Sequence, residues 1–205
     1  MPGTSEPVVR AMRDEEADAV ARLTLAAYDA HGSLTGPYRD RLADPRRRLA
    51  GATAVLVAEL DGLPAGTVTF VLPGDPEWEG RPTPAGDAGF RILAVAPWAE
   101  GRGVGRTLVA ACLRRASAAG SRRVVITTMA WMERAQRLYE RLGFVHRADL
   151  DVRFPSGFGH TYVLDLQPDA ADHFAPPGEV PTEPPWFEDV WVTSRSASPS
   201  EDEPS

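Results

Sequence analysis

Three glycines and two arginines precede a helix-like pattern, in a spacing that can hold an anionic ligand. Gly101, Gly103 and Gly105 form the series G-x-G-x-G, and Arg102 and Arg106 alternate with them. Glycine allows positive φ and lets a ligand approach the main chain. The free N–H groups and the dipole of a helix's first turn attract phosphate. The spacing matches neither the dinucleotide-binding loop nor the P-loop, so an ordinary glycine-rich strand-to-helix connection remains an alternative.

A tyrosine further along the chain could act as an acid. Tyr139 lies in the pattern A-x-x-L-Y-E-x-L-G-F, which ends at Phe144. A phenol, with a pKa of about 10, can supply a proton to a departing thiolate, whose thiol has a pKa of about 8.5. Taken alone, Tyr139 is more simply explained as a packed helix aromatic. Together with the glycine series, it favours a site.

The sequence contains no obvious nucleophile–base pair and no spacing typical of a metal site. Asp87, on or just before the central strand predicted at residues 90–95, is the first candidate for a general base. Glu79 and His160 are weaker candidates. The simplest interpretation of His31, His146 and His160 is that they are surface or hydrogen-bonded residues. We therefore expect no metal.

The elements around these residues follow from hydrophobic patterning and breaker residues. An apolar run at 90–95 predicts a buried strand that Pro97 ends. Before it, Asp61-Gly62 predicts a hairpin turn. The predicted strands are 7–11, 54–60, 65–72, 90–95, 123–128, 144–146 and 161–166, with 123–128 parallel to the central strand and the last one antiparallel. The predicted helices are 14–28, 38–49, 104–119 and 131–142, and 73–86 is a long loop. The arginines of 46–48 are expected on a solvated face.

Composition bounds the class of protein. The 205 residues suffice for one domain with an appendage, no run reaches the length of a membrane span, and the first residues lack the pattern of a signal peptide. The single cysteine, Cys112, excludes an internal disulfide and fits a reducing compartment. We therefore expect a cytoplasmic protein with no membrane partner.

Charge and proline content divide the chain into a body, 1–167, and a tail, 168–205. The tail holds 9 acidic residues, one arginine and eight prolines, a disorder-like composition. The nearly neutral body gives no basic field for nucleic acid. We expect residues 186–191, which contain two tryptophans, to dock on this domain or on a second copy, and the last ten residues to be mobile. Such docking is compatible with a homodimer.

The series L-A-V-A-P, G-x-G-x-G, helix, strand and A-x-x-L-Y-E-x-L-G-F, spread over residues 8–166, resembles the GNAT superfamily of acyl-CoA-dependent N-acetyltransferases. The resemblance implies an α/β (α+β) fold with a mixed, mainly antiparallel sheet of six to seven strands. Its central parallel strands would be splayed and helices would flank the sheet. It also implies acetyl-CoA as a co-substrate.

The resemblance implies roles for individual residues. The turn that contains Gly101, Gly103 and Gly105, called the glycine turn below, would hold the pyrophosphate of coenzyme A. The central strand would form hydrogen bonds to the pantetheine arm. Tyr139 would be the general acid that protonates the CoA thiolate. An N–H of the strand could hold the developing oxyanion. The implied cofactor-binding residues are Leu93, Ala94, Val95, Gly101, Arg102, Gly103, Val104, Gly105 and Arg106.

Two positions depart from the family pattern. Glu100 stands where a glutamine or arginine is usual, and Met132 where an asparagine is frequent. The carboxylate of Glu100 would oppose a pyrophosphate unless it points away or pairs with Arg102.

The sequence is compatible with three hypotheses of function. The first is an enzyme that acetylates a primary amine, on a small molecule or a peptide, by direct transfer; acidic residues of 73–86 would favour a cationic acceptor. The second is a non-catalytic acyl-CoA-binding regulatory module. The third is a partner-binding domain without coenzyme affinity.

Overall fold

The computed structural model describes residues 5–31, 36–78, 86–154 and 157–166, which form one mixed sheet flanked by helices. The strands are β1 (Val8–Ala11), β2 (Ala54–Leu60), β3 (Leu63–Val71), β4 (Asp87–Val95), β5 (Arg123–Met129), β6 (Val145–His146), β7 (Val152–Phe154) and β8 (Gly157–Asp165). The helices are α1 (Ala17–Asp29), α2 (Pro37–Leu42), α3 (Pro45–Gly51), α4 (Val104–Ala118) and α5 (Glu133–Arg141).

The sheet has the order β1-β2-β3-β4-β5-β8-β6, and β7 pairs with β8 beside that path. β4 and β5 run parallel, and the other paired strands are antiparallel. This confirms the mixed, mainly antiparallel sheet predicted from the sequence. The sheet has one strand more than expected, because the three-residue strand β7 is too short to leave a clear alternating pattern.

Helices cover both faces of the sheet. Val55 and Val57 of β2 pack with Ala17 and Val20 of α1. The residues that alternate with them, such as Leu56, belong to the main core that includes much of α4. Successive side chains of a strand point to opposite faces, so β2 is buried between two helical layers.

The predicted helix at 38–49 is two helices. Pro45 cannot donate a backbone hydrogen bond, and it begins α3 after Asp44, whose side chain accepts a hydrogen bond from Arg47 N–H at 2.9 Å. The prediction that the arginines of 46–48 form a solvated face was wrong for Arg48, which is fully buried and donates to Thr69.

Other elements agree with the sequence-based predictions. Asp61 and Gly62 both have positive φ, as the predicted Asp-Gly hairpin turn requires. Gly120 and Gly143, just beyond α4 and α5, also have positive φ. No helix among the described residues is long and apolar enough to cross a membrane. Glu79 and the whole tail, including 186–191, lie outside the described residues.

Candidate functional site

The candidate site begins where the two parallel strands separate. Among the described residues, β4 pairs with β5 only from Asp87 to Gly89. Beyond that point a cavity of about 800 Å³ opens between the strands, within the range of small-molecule sites. Its walls are the second half of β4, the end of β5, the first turn of α4 and most of α5, together with Ala27, Tyr28 and His31.

A bulge in β4 lies just beyond the point where β4 and β5 separate. The register between β3 and β4 shifts between Thr67 and Thr69, opposite Ile92, whose φ is 49°. Positive φ in a β-branched residue is a strained conformation that costs about 1–3 kcal/mol and concentrates at functional sites. After this bulge, Leu93, Ala94 and Val95 line the cavity, so main chain predicted to bond the pantetheine arm is at the cavity wall.

The glycine turn lies at the same cavity. Gly101 and Gly103 have φ of 75° and 82°, and Gly103 precedes the first residue of α4. A Cβ on Gly105 would approach Leu138 to 3.3 Å, so glycine lets α5 pack closely here. The N–H groups of the first helical turn have no partners within the helix. Gly101, Gly103, Val104, Gly105 and Arg106 all line the cavity.

Glu100 is neutralised by a residue that the sequence did not single out. Its carboxylate accepts a hydrogen bond from Arg134 of α5 rather than from Arg102, the partner considered from the sequence. Arg102 instead donates to Asp61 of the hairpin turn at 2.9 Å and does not line the cavity. No described residue forms an ion pair with Arg106, so the first turn of α4 retains one uncompensated positive side chain at the cavity.

Tyr139 lies on the cavity wall inside an aromatic cluster. Its ring is 5.8 Å from those of Phe90 and Phe144 and 6.0 Å from that of Tyr162. Burial raises the pKa of Tyr139 well above its usual value, so the phenol keeps its proton at neutral pH. Its hydroxyl has no hydrogen-bond partner among the described residues. The group can therefore donate to a ligand in the cavity.

Asp87 lies at the paired end of β4, and it does not line the cavity. The carboxylate is fully buried, 3.6 Å from Arg123 Nε on the neighbouring strand. Burial raises the pKa of Asp87 to about 6, although Arg123 and Arg122 oppose the increase. The structure thus places this candidate base three residues before the point where the cavity begins.

The two described carboxylates of the loop after β3, those of Asp75 and Glu77, are held in hydrogen bonds and an ion pair within the protein. Asp75 accepts hydrogen bonds from Thr53 N–H and Leu72 N–H at 2.7 and 2.8 Å. Glu77 is buried and paired with Arg41 at 2.9 Å. Neither lines the cavity, so these two residues lend no support to the cationic acceptor expected from 73–86, whose third carboxylate, Glu79, lies outside the described residues.

Several cavity residues were not found from the sequence. Thr127 and Thr128 come from β5, Trp131 from the turn after it, and Arg91 from β4. Met132, noted only as a departure, also lines the cavity and accepts a hydrogen bond from Thr128 through its sulfur. Except for Arg91, which is on the central strand itself, the signal that could have identified them is their position at the end of a strand parallel to the central one.

Comparisons with known proteins are consistent with this geometry. Residues 17–144 match the family model described as acetyltransferase (GNAT) family. A mycothiol acetyltransferase of Amycolatopsis mediterranei (strain U-32) is 31% identical over 150 residues, which cover 68% of this chain and 46% of that protein. The chain therefore spans less than half the length of this curated relative.

Solved structures of similar proteins share the fold. The Salmonella typhimurium protein yncA, solved with its cofactor acetyl-CoA, has a TM-score of 0.58 and 22% identity, covering 85% of this chain and 99% of its own. A GNAT family acetyltransferase of Brucella melitensis in complex with acetyl-CoA has a TM-score of 0.56 and 22% identity, covering 84% of this chain and 94% of its own.

Proposed function

Because the chain belongs to the acetyltransferase (GNAT) family, we propose that it transfers an acetyl group from acetyl-CoA to a primary amine by direct attack. One observation carries the proposal: the free part of β4, the first turn of α4 and Tyr139 line the same cavity. An anion site, a strand edge and a proton donor are thereby available to one ligand.

The cavity suits a ligand with a diphosphate at one end. Arg106 and the first N–H groups of α4 would hold the diphosphate. The pantetheine arm would form hydrogen bonds with the main chain of Leu93, Ala94 and Val95, along the part of the β4 edge that does not pair with β5. It would lie there as an added strand does. Similar proteins solved with acetyl-CoA support this assignment of the co-substrate.

The reaction needs three things from the protein. The amine nitrogen forms a bond to the thioester carbon while the carbonyl oxygen becomes negative, and the N–H of Val95 would stabilise that oxyanion. The carbon–sulfur bond then breaks, and Tyr139 would give its proton to the departing sulfur. Solvent would reprotonate Tyr139 before the next turnover. No covalent intermediate with the protein is required.

The proton released by the amine would go to water. The described carboxylates that line the cavity are Glu100 and Glu133, and each is paired with an arginine of α5. Because each carboxylate already accepts a hydrogen bond from an arginine side chain, neither is free to take up the proton of the amine. The acceptor should therefore react as the neutral amine, with a rate that rises with pH through the acceptor's own pKa.

The test is calorimetric binding followed by an amine screen. Acetyl-CoA should bind, and S-acetyl-pantetheine, which lacks the diphosphate, should bind at least about tenfold more weakly because the charge-assisted hydrogen bonds are lost. Thiol release would then be measured with a panel of small amines and peptides. Binding without turnover of any amine would favour the non-catalytic module; no binding of acetyl-CoA would refute both.

A further inference from the structure

A second group of metal-ligating side chains lies near the edge of the sheet, outside the cavity lining. His146 is on β6, His160 is on β8, and Asp151 immediately precedes β7. These three residues, the His–Asp–His cluster, place one ligand atom each within 4.8 Å of the others. No spacing along the chain indicated the cluster, because its members come from separate segments that meet only in the folded protein.

The three ligand atoms form a nearly equilateral triangle. His146 Nε2 and His160 Nδ1 are each 3.0 Å from Asp151 Oδ2, and the two nitrogens are 3.1 Å apart. Ligands that lie about 2.0–2.2 Å from one Zn²⁺ ion are separated by about 3.0–3.5 Å, depending on the coordination angle. The observed separations match the short end of that range, so one ion could contact all three atoms with little rearrangement.

Hydrogen bonds among the three side chains cannot satisfy all three ligand atoms at the same time. Each imidazole nitrogen carries at most one hydrogen. If both nitrogens donate to Asp151, their two N–H groups face each other across 3.1 Å. If one histidine accepts from the other, it no longer donates to the carboxylate. A cation bound to both lone pairs and to the carboxylate removes the conflict.

The surrounding contacts hold the cluster in place and leave one side open. Asp151 Oδ1 accepts the Thr161 N–H at 2.8 Å, and the ring of His146 stacks on Tyr162 with centroids 5.2 Å apart. The side chains of His146, Asp151 and His160 remain 35%, 15% and 28% exposed, so an ion can enter from solvent.

We propose that the His–Asp–His cluster binds one divalent transition-metal ion of the zinc class. Imidazole nitrogens suit Zn²⁺, Cu²⁺ and Ni²⁺, and a carboxylate with two histidines leaves a position for water. The ion would tie β6 to β8, strands joined by only two residue pairs. Its bond to Asp151 would also fix the segment between them. The site does not depend on the proposed acetyl transfer.

Zinc binding to the full, tag-free chain tests the proposal. After removal of metals with a chelator, titration with Zn²⁺ should show one ion per chain with a Kd below about 10 µM, and saturation should raise Tm by a few degrees because the ligand binds only the folded state. Absence of binding at about 100 µM Zn²⁺ would overturn the proposal.

Substitutions then locate the ion. Asp151→Asn and His160→Gln should each weaken Zn²⁺ binding at least about tenfold. His146→Gln, at the most exposed of the three positions, serves as a third variant in case the loss of the Asp151 hydrogen bond to Thr161 prevents folding. Binding that persists unchanged in the folded variants would refute the site.

The matched controls are the other histidines and a neighbouring carboxylate. The chain has four histidines, so His31→Gln and His173→Gln replace those outside the cluster. Asp149→Asn removes a carboxylate two residues from Asp151 that pairs with Arg147. All three controls should bind Zn²⁺ with a Kd within about twofold of the unchanged chain. Loss of binding in His173→Gln alone would assign the ion to the tail instead.

Discussion

Glu100 and Arg134 form an ion pair that joins the glycine turn to α5. Glu100 is the residue that departs from the family pattern beside the turn, and its pairing keeps a carboxylate charge from facing an incoming diphosphate unopposed. Both side chains are partly exposed, at 31% and 65%, so the interaction is screened by solvent and modest in energy.

Substitution of Glu100 and substitution of Arg134 should change the affinity for acetyl-CoA in opposite directions. Glu100→Gln frees Arg134 for the diphosphate and should lower the Kd of acetyl-CoA about two- to fivefold, whereas Arg134→Gln leaves Glu100 unopposed and should raise it by a similar factor. Calorimetry at low and high salt checks both changes, which should shrink as ionic strength increases. A shift of both variants in the same direction would contradict the ion-pair explanation.

Arg106 and Arg102 offer a matched pair of arginines in the glycine turn. Arg106 lines the cavity, while Arg102 is directed to Asp61. Arg106→Gln should therefore raise the Kd of acetyl-CoA about tenfold through loss of a charge-assisted hydrogen bond. Arg102→Gln should change it less than about threefold.

The measurement is calorimetry with acetyl-CoA and with S-acetyl-pantetheine. The difference between the two arginine variants should vanish with the second ligand, which carries no phosphate. An equal loss of acetyl-CoA affinity in both variants would mean that Arg102 turns from Asp61 towards the ligand.

Tyr139→Phe separates acid catalysis from binding. The hydroxyl is the only group removed, so the aromatic packing with Phe90 and Phe144 is kept. We expect kcat to fall about 100-fold, as for loss of a general acid, with the Kd of acetyl-CoA within about twofold of the unchanged chain. Turnover is measured as thiol release with the best amine from the screen.

Tyr162→Phe is the control for this substitution. Tyr162 belongs to the same aromatic cluster, but its hydroxyl donates to Glu140 at 3.2 Å and it does not line the cavity. Its kcat should stay within about threefold of the unchanged chain. An equal fall in both variants would indicate a packing effect and would remove the support for Tyr139 as the acid.

Asp87 should make stability depend on pH. Burial raises its pKa in the folded state to about 6, whereas the ordinary pKa of an aspartate in an unfolded chain is 3.8. The folded state therefore binds more protons than the unfolded state between these values, so the contribution of Asp87 to stability is present below pH 3.8 and is lost as the pH rises through about 6. The total loss is at most about 3 kcal/mol.

Asp87→Asn should remove this dependence. The difference in unfolding free energy between Asp87→Asn and the unchanged chain, measured by denaturant titration, should grow in favour of the variant between about pH 4 and pH 6 and then level off. A difference independent of pH would contradict the raised pKa. Because Asp87 lies outside the cavity lining, kcat of the folded variant should stay within about threefold, and a much larger loss would restore Asp87 as the base.

The sequence by itself determined the elements and the turn that depend on nearby residues. Strand and helix patterns, the Asp61-Gly62 hairpin and the glycines before α4 follow from backbone freedom and hydrophobic periodicity, which act over a few residues. The paired motifs, through the family that they resemble, also implied the mixed sheet with its parallel central strands. Errors arose where burial overrode local composition, as for Arg48, and where a strand was only three residues long.

Only the tertiary structure decided which distant side chains meet. It paired Glu100 with Arg134, placed Asp87 at the end of β4 that is still bonded to β5, and brought His146, Asp151 and His160 together. Such contacts depend on strand order and register, and a shift of one residue in a strand would turn side chains such as those of Asp87 and His160 to the other face. These are properties of the packed sheet, and spacing along the chain does not contain them.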